Sequence, residues 1–206
     1  MDNAHFWFQD TSGGGGGGDA GDPIGESLRF RGAQALYTTS KAASGGDWTI
    51  SFWFKQECVF SRASGGDNFF FMFGAYTNPL NLYINNNSSS AASHGVLQNS
   101  SSNFRFTGLV RDPSAWYHCV LQKSGSTTRG WLNGVDGGFS YATDLPIANA
   151  VPMAIGAHTP GTSPAINSFK GYFAEWHFVD GQALPPEAFG RSNSNGVWVP
   201  VDPKQD

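Results

Sequence analysis

Charge is scarce in this chain: only 14% of its 206 residues are Asp, Glu, Lys or Arg, the formal net charge is -4, and Lys and Arg form no run. Recognition of a phosphate backbone needs clustered cations, so nucleic-acid binding is excluded. No apolar run approaches the roughly 20 residues of a membrane-spanning helix. Cysteine is nearly absent, and Cys58 and Cys119 permit one disulfide at most. Met1-Asp2-Asn3-Ala4 lacks the basic and apolar regions of a secretory signal, which predicts folding in a cytoplasm. Thiols stay reduced there, and a buried Cys acts as a small hydrophobe, so both cysteines are expected free.

Glutamate is also rare. Of Glu26, Glu57, Glu175 and Glu187, none has a second carboxylate two or four residues further on. No one strand can therefore present the carboxylate pair of a glycosidase. No Gly-x-Ser-x-Gly elbow occurs. His118 and His177 alternate with apolar residues and read as structural, while His5, His94 and His158 lack zinc-ligand spacing. The expectation is a protein without enzymatic activity.

Aromatics and turn residues are what the chain has in abundance, with Phe, Tyr and Trp at 15% beside 27 Gly and 11 Pro. Residues 1–23 stand apart: His5-Phe6-Trp7-Phe8 precedes six glycines, Gly13 to Gly18, and Asp19–Pro23 completes a linker. Polyglycine has maximal backbone entropy and nothing to pack, so a flexible arm is expected, followed by one large domain over residues 24–206. Exposed aromatics on a free arm need a receptor surface. Phe6, Trp7 and Phe8 therefore read as an anchor for a partner protein, the alternative being an edge strand of the chain's own sheet.

Strand-sized segments then recur between turns. Ser27–Phe30 and Ala35–Tyr37 read as a first hairpin, and Trp48–Lys55 is the clearest strand. Phe69–Phe73, Asn81–Ile84, Phe104–Thr107 with Leu109-Val110, Trp116–Gln122 and Met153–Gly156 follow, with a long polar loop over Ser88–Asn103. Asn133-Gly134 marks a primed-turn hairpin. Tyr172, Ala174, Trp176 and Phe178 alternate on what reads as one apolar strand face, ending at the turn Asp180-Gly181. Leu184–Gly190 reads as one helical turn, and Gly196–Pro200 as a tail whose Trp packs back. The pattern predicts an all-β, two-sheet antiparallel jelly-roll sandwich.

Five of these segments occur together in order: Trp48–Lys55, Trp116–Val120, Asn133-Gly134, Pro152–Gly156 and Gly171–Glu175. In this the chain resembles the laminin-G-like branch of the concanavalin A-like lectin/glucanase superfamily. The arm and the ending Gly196–Pro200 are similar to those of versions in marine bacteriophage virion and tail proteins. The resemblance implies a β-sandwich displayed on a virion surface after assembly in the host cytoplasm. It would act as capsid decoration or a small appended knob, with a tail-fibre receptor-binding module as the alternative. It implies other virion proteins, a major capsid or tail protein, as partners of the arm, a host surface glycan as a second partner, and symmetric homo-oligomers. The superfamily's glucanases carry Glu-x-Asp-x-Glu on one strand, which this chain lacks. The resemblance also raises calcium, for which Asp67, Asn68, Asp112, Asp136 and Asp180 lie in predicted turns. Asp in a turn ordinarily caps its own backbone, and six to eight oxygens do not assemble from these positions, so no resident cofactor or metal is expected.

Overall fold

The structure is a computed structural model and describes residues 24, 26–32, 34–41, 46–57, 68–73, 80–85, 95–98, 105–142, 151–157 and 168–201. The expectations for Phe6, Trp7, Phe8, the polyglycine segment, Cys58 and Asp67 lie outside them.

Alternating and aromatic segments form fourteen strands among these residues: β1 Leu28–Arg31, β2 Leu36–Lys41, β3 Trp48–Gln56, β4 Asn68–Phe73, β5 Leu80–Asn85, β6 Val96–Gln98, β7 Arg105–Leu109, β8 Tyr117–Ser124, β9 Thr127–Leu132, β10 Val135–Ala142, β11 Val151–Ile155, β12 Lys170–Asp180, β13 Gly190–Ser192 and β14 Trp198–Pro200. A first antiparallel sheet has the order β1-β12-β3-β8-β9-β10, a second β2-β11-β4-β5-β6-β7, and β13-β14 form a small hairpin. The expected jelly-roll-like sandwich is observed.

The inner faces meet in an aromatic core. Trp48, Ile50, Phe52 and Phe54 from β3 and Phe173, Trp176 and Phe178 from β12 pack against Phe70, Phe71, Leu82, Ile84, Met153 and Ile155 from the second sheet. The Phe52 ring stacks on Trp176 at 4.4 Å and meets Phe54, Phe70, Phe71 and Phe173 within 6.1 Å. Cys119 lies in this core as a free cysteine, and burial pushes its thiol up, away from reactivity. The Asn133-Gly134 turn behaves as expected. Both residues have positive φ, 51° and 76°, which Asn and Gly tolerate, and the turn fixes Leu132 opposite Val135.

Three expectations are corrected. β1 and β2 do not form a hairpin, since β1 pairs with β12 in the first sheet and β2 with β11 in the second. Gly32, at φ 81°, turns the chain out of β1, and the Arg31 amide donates to Gln34 Oε1 at 2.8 Å. The expected polar loop over Ser88–Asn103 contains β6, where Leu97 enters the core. Finally, β12 does not keep its apolar residues on one face. Glu175 adopts φ 46°, and the register steps from Ala174↔Trp53 to His177↔Ser51, so Glu175 and Trp176 together oppose Phe52. This bulge reverses the parity of the strand. Trp176 and Phe178 point into the core, whereas Tyr172 and Ala174 share the outer face with Lys55 and Trp53.

Candidate functional site on the outer face of the first sheet

A sandwich strand usually buries one side. β3 buries both, with Thr49, Ser51 and Trp53 as inaccessible as the core residues between them. The cover is the chain's own C-terminal segment. After Asp180-Gly181 the backbone turns over the sheet and is tied to Thr49, whose hydroxyl donates to the Gln182 carbonyl at 2.9 Å and accepts from the Leu184 amide at 2.8 Å. A 3-10 turn at Pro186–Ala188, the expected helical turn, leads into the β13-β14 hairpin. As expected, the tail tryptophan packs back.

Trp198 closes over His118. Its indole N–H donates to His118 Nδ1 at 3.0 Å, and the two rings stack with centroids 6.1 Å apart. Trp53 stacks on the same imidazole at 4.7 Å. Because Nδ1 accepts, the neutral ring carries its proton on Nε2 and donates it to Ser51 Oγ at 2.8 Å. Burial, and then the nearby His177, pull the His118 pKa down to about 3. The Ser-His contact is thus a sealed structural pair, as the sequence reading of His118 held. His177 lies near Phe189, at 5.5 Å, with its Nε2 3.7 Å from Glu175 Oε2.

The seal tolerates little change around the indole: a Cβ on Gly134 or Gly190 would come within 2.5 Å of Trp198 atoms. Trp198→Phe preserves an aromatic lid but leaves His118 Nδ1 buried without a donor. It should lower stability by about 1–2 kcal/mol in denaturant unfolding, and an unchanged midpoint would show that this bond contributes nothing.

The other half of the face is open. Arg29, Tyr172 and Lys55 occupy one register level on β1, β12 and β3. Trp116, one residue before β8, continues the row, because Phe54 pairs with Tyr117. The Trp116 and Tyr172 rings meet edge to face at 6.5 Å, and the Arg29 guanidinium sits 5.6 Å from the Tyr172 ring centroid. Arg29 Nη2 pairs with Glu57 Oε1 at 3.2 Å. Tyr172, Lys55 and Trp116 are half-buried, and Arg29 and Glu57 are exposed. The sequence reading missed this row. Its residues are 143 positions apart along the chain from Arg29 to Tyr172, and the parity of Tyr172 depends on a bulge with no Gly or Pro to announce it.

Asp112 and Asp136 cap their own backbone, as expected of aspartates in turns. Asp112 accepts from the Ser114 hydroxyl at 2.6 Å and the Ser114 amide at 2.8 Å, which holds its carboxyl below the ordinary range. Asp136 accepts from the Gly138 amide at 2.8 Å and Arg129 at 2.6 Å, with the same effect. Among the described residues no group of three His, Cys, Asp or Glu side chains gathers to hold a metal.

Comparison with solved structures gives remote likenesses of fold. A SAP-like pentraxin from Limulus polyphemus aligns with a TM-score of 0.55 at 16% identity, over 77% of this chain and 76% of that one. Domain 4 of AbnA, an extracellular arabinanase from Geobacillus stearothermophilus solved with arabinotriose, aligns at 0.52 and 19%, over 91% and 79%. The Trypanosoma rangeli sialidase solved with sialic acid aligns at 0.51 and 12%, over 78% of this chain and 26% of that one. No curated protein matches the sequence. A laminin-G-type family model does match, over residues 30–188, and on that match the chain belongs to the concanavalin A-like lectin/glucanases superfamily.

Proposed function

We propose that this chain is a non-enzymatic glycan-recognition domain carried on a bacteriophage particle. The observation that carries recognition is the open row Arg29–Tyr172–Lys55–Trp116, left accessible beside the part of the face that the C-terminal segment closes. Aromatic surface beside paired charges is the chemistry that sugars need: apolar C–H faces meet rings, and hydroxyls meet donors and acceptors.

Catalysis is disfavoured by how the candidate groups are engaged. Glu57 pairs with Arg29, Asp136 with Arg129, and Asp112 with Ser114, while His118 is neutral, buried and occupied at both nitrogens. Glu175, the remaining glutamate of this face, sits 3.7 Å from His177, and it is the carboxylate that the test below addresses. Two fold relatives were solved with sugars, arabinotriose and sialic acid, which supports a glycan as the ligand. The particle context rests on the sequence resemblance to phage virion and tail proteins, with Phe6, Trp7 and Phe8 anchoring the domain to a capsid or tail protein. An exposed recognition row favours a receptor-binding role at the tail over decoration of the shell.

The test is to incubate the chain with a panel of bacterial surface polysaccharides and measure both retention and release of reducing ends. Binding without release is expected, and Glu175→Gln should change neither. Release of reducing ends that disappears selectively in Glu175→Gln would overturn the non-enzymatic reading.

A further inference from the structure

We propose that the open row binds a neutral, linear glycan laid across the strands and reads internal sugars of the chain rather than its end. This rests on the glycan-recognition reading above and names its ligand class. Arg29, Tyr172, Lys55 and Trp116 come from four neighbouring strands or their immediate flanks, so the row covers three interstrand spacings, roughly 14 Å. That length suits a short oligosaccharide and exceeds a single sugar ring. All four residues sit on a sheet face, half-buried or exposed, which suits contact along a chain rather than capture of its end.

The charges of the row set the charge of the ligand. Arg29 is matched by Glu57 at 3.2 Å, while Asp112, beyond the row, is engaged chiefly by Ser114. The guanidinium of the row is thus balanced by a carboxylate, on a chain of net charge -4. A site built to capture sulfate or uronate would leave its cations unmatched. The matched Arg29–Glu57 pair instead offers donor and acceptor side by side, which is what the hydroxyls of a neutral sugar require, since each both donates and accepts. The Lys55 ammonium and the Tyr172 hydroxyl make no hydrogen bond among the described residues and are available to such hydroxyls. Trp116 and Tyr172, at 63° to each other, supply the apolar contact, and Arg29 over the Tyr172 ring holds that side chain in place.

Calorimetric titration of the full chain with neutral linear oligosaccharides, from mono- to hexasaccharide and beside acidic counterparts, tests this. Affinity should be undetectable for the monosaccharide, climb to about three or four sugars, then level off, and change little with salt. Trp116→Ala and Tyr172→Ala should each weaken binding about tenfold or more, with Tyr172→Phe keeping most of it. Glu57→Gln, at an exposed position without a role in the core, should bring in acidic chains by uncovering Arg29. Salt-sensitive preference of the unaltered protein for acidic chains would overturn the charge argument, and monosaccharide binding as tight as that of longer chains would overturn the extended row. Glycan binding undiminished in both aromatic variants would place the site elsewhere and sink this proposal while sparing the recognition reading. Failure of the folded chain to bind any glycan would sink that reading itself.

Discussion

Acidification from pH 6.5 toward pH 3 should remove about 4–5 kcal/mol of stability through His118 alone. In the unfolded chain this imidazole titrates near its ordinary 6.5, whereas in the fold burial lowers its pKa to about 3. Between those values the unfolded state binds a proton that the folded state refuses, so stability rises with pH across this window and is lost as pH falls. Each pH unit is worth about 1.36 kcal/mol, and the full contribution is in place above pH 6.5. The loss is a large fraction of a typical domain's 5–15 kcal/mol. The cause is geometric: Trp198 occupies Nδ1 with a donor, and Trp53 excludes water from the ring, so a second proton would leave two facing N–H groups and a buried charge. Denaturant unfolding of the unaltered chain and of His118→Phe, measured in steps from pH 7 to pH 3, isolates the effect. The variant should be less stable at pH 7, and the difference between the two should shrink on acidification. A constant difference across the window would show that His118 does not resist protonation.

Phe52→Ala should cost about 3–5 kcal/mol. Phe52 is fully buried, and its ring is the one on which β3, β12 and β4 converge: it stacks on Trp176 at 4.4 Å and contacts Phe70, Phe71 and Phe173. It also stands alone opposite the two bulged residues Glu175 and Trp176. Truncation leaves a cavity walled by rigid rings, which collapse poorly into a void. Phe52→Leu keeps most of the volume and should cost roughly 1.5 kcal/mol or less. Thermal or denaturant unfolding of both variants checks this, and equal losses for the two would mean that volume is not what Phe52 supplies.

The all-β character, most strands and the Asn133-Gly134 turn were legible because each is announced locally, by alternation over Trp48–Gln56 or by two residues suited to positive φ. The return of Trp198 onto the sandwich and the structural character of His118 were legible in outline. What escaped was non-local. Ser27–Phe30 and Ala35–Tyr37 read as partners because they are adjacent, yet partner choice was decided by β12 and β11, more than a hundred residues away. The face assignment of Tyr172 failed because a non-glycine residue, Glu175, takes the left-handed conformation, and only tertiary context enforces that. The binding row inherits both difficulties, since it exists only once β1 and β12 are paired and the bulge has turned Tyr172 outward.

The position of β12 between β1 and β3 also governs how the chain is made. At roughly 5–20 residues per second, on the order of ten seconds pass between synthesis of β3 and completion of β12. Throughout that interval Phe30, Phe52 and Phe54 lack Phe173, Trp176 and Phe178, and two strand edges that will later flank β12 stand open. The nascent chain therefore passes through an aromatic-rich, edge-exposed and aggregation-prone interval, and the first sheet closes only after the ribosome has passed Asp180.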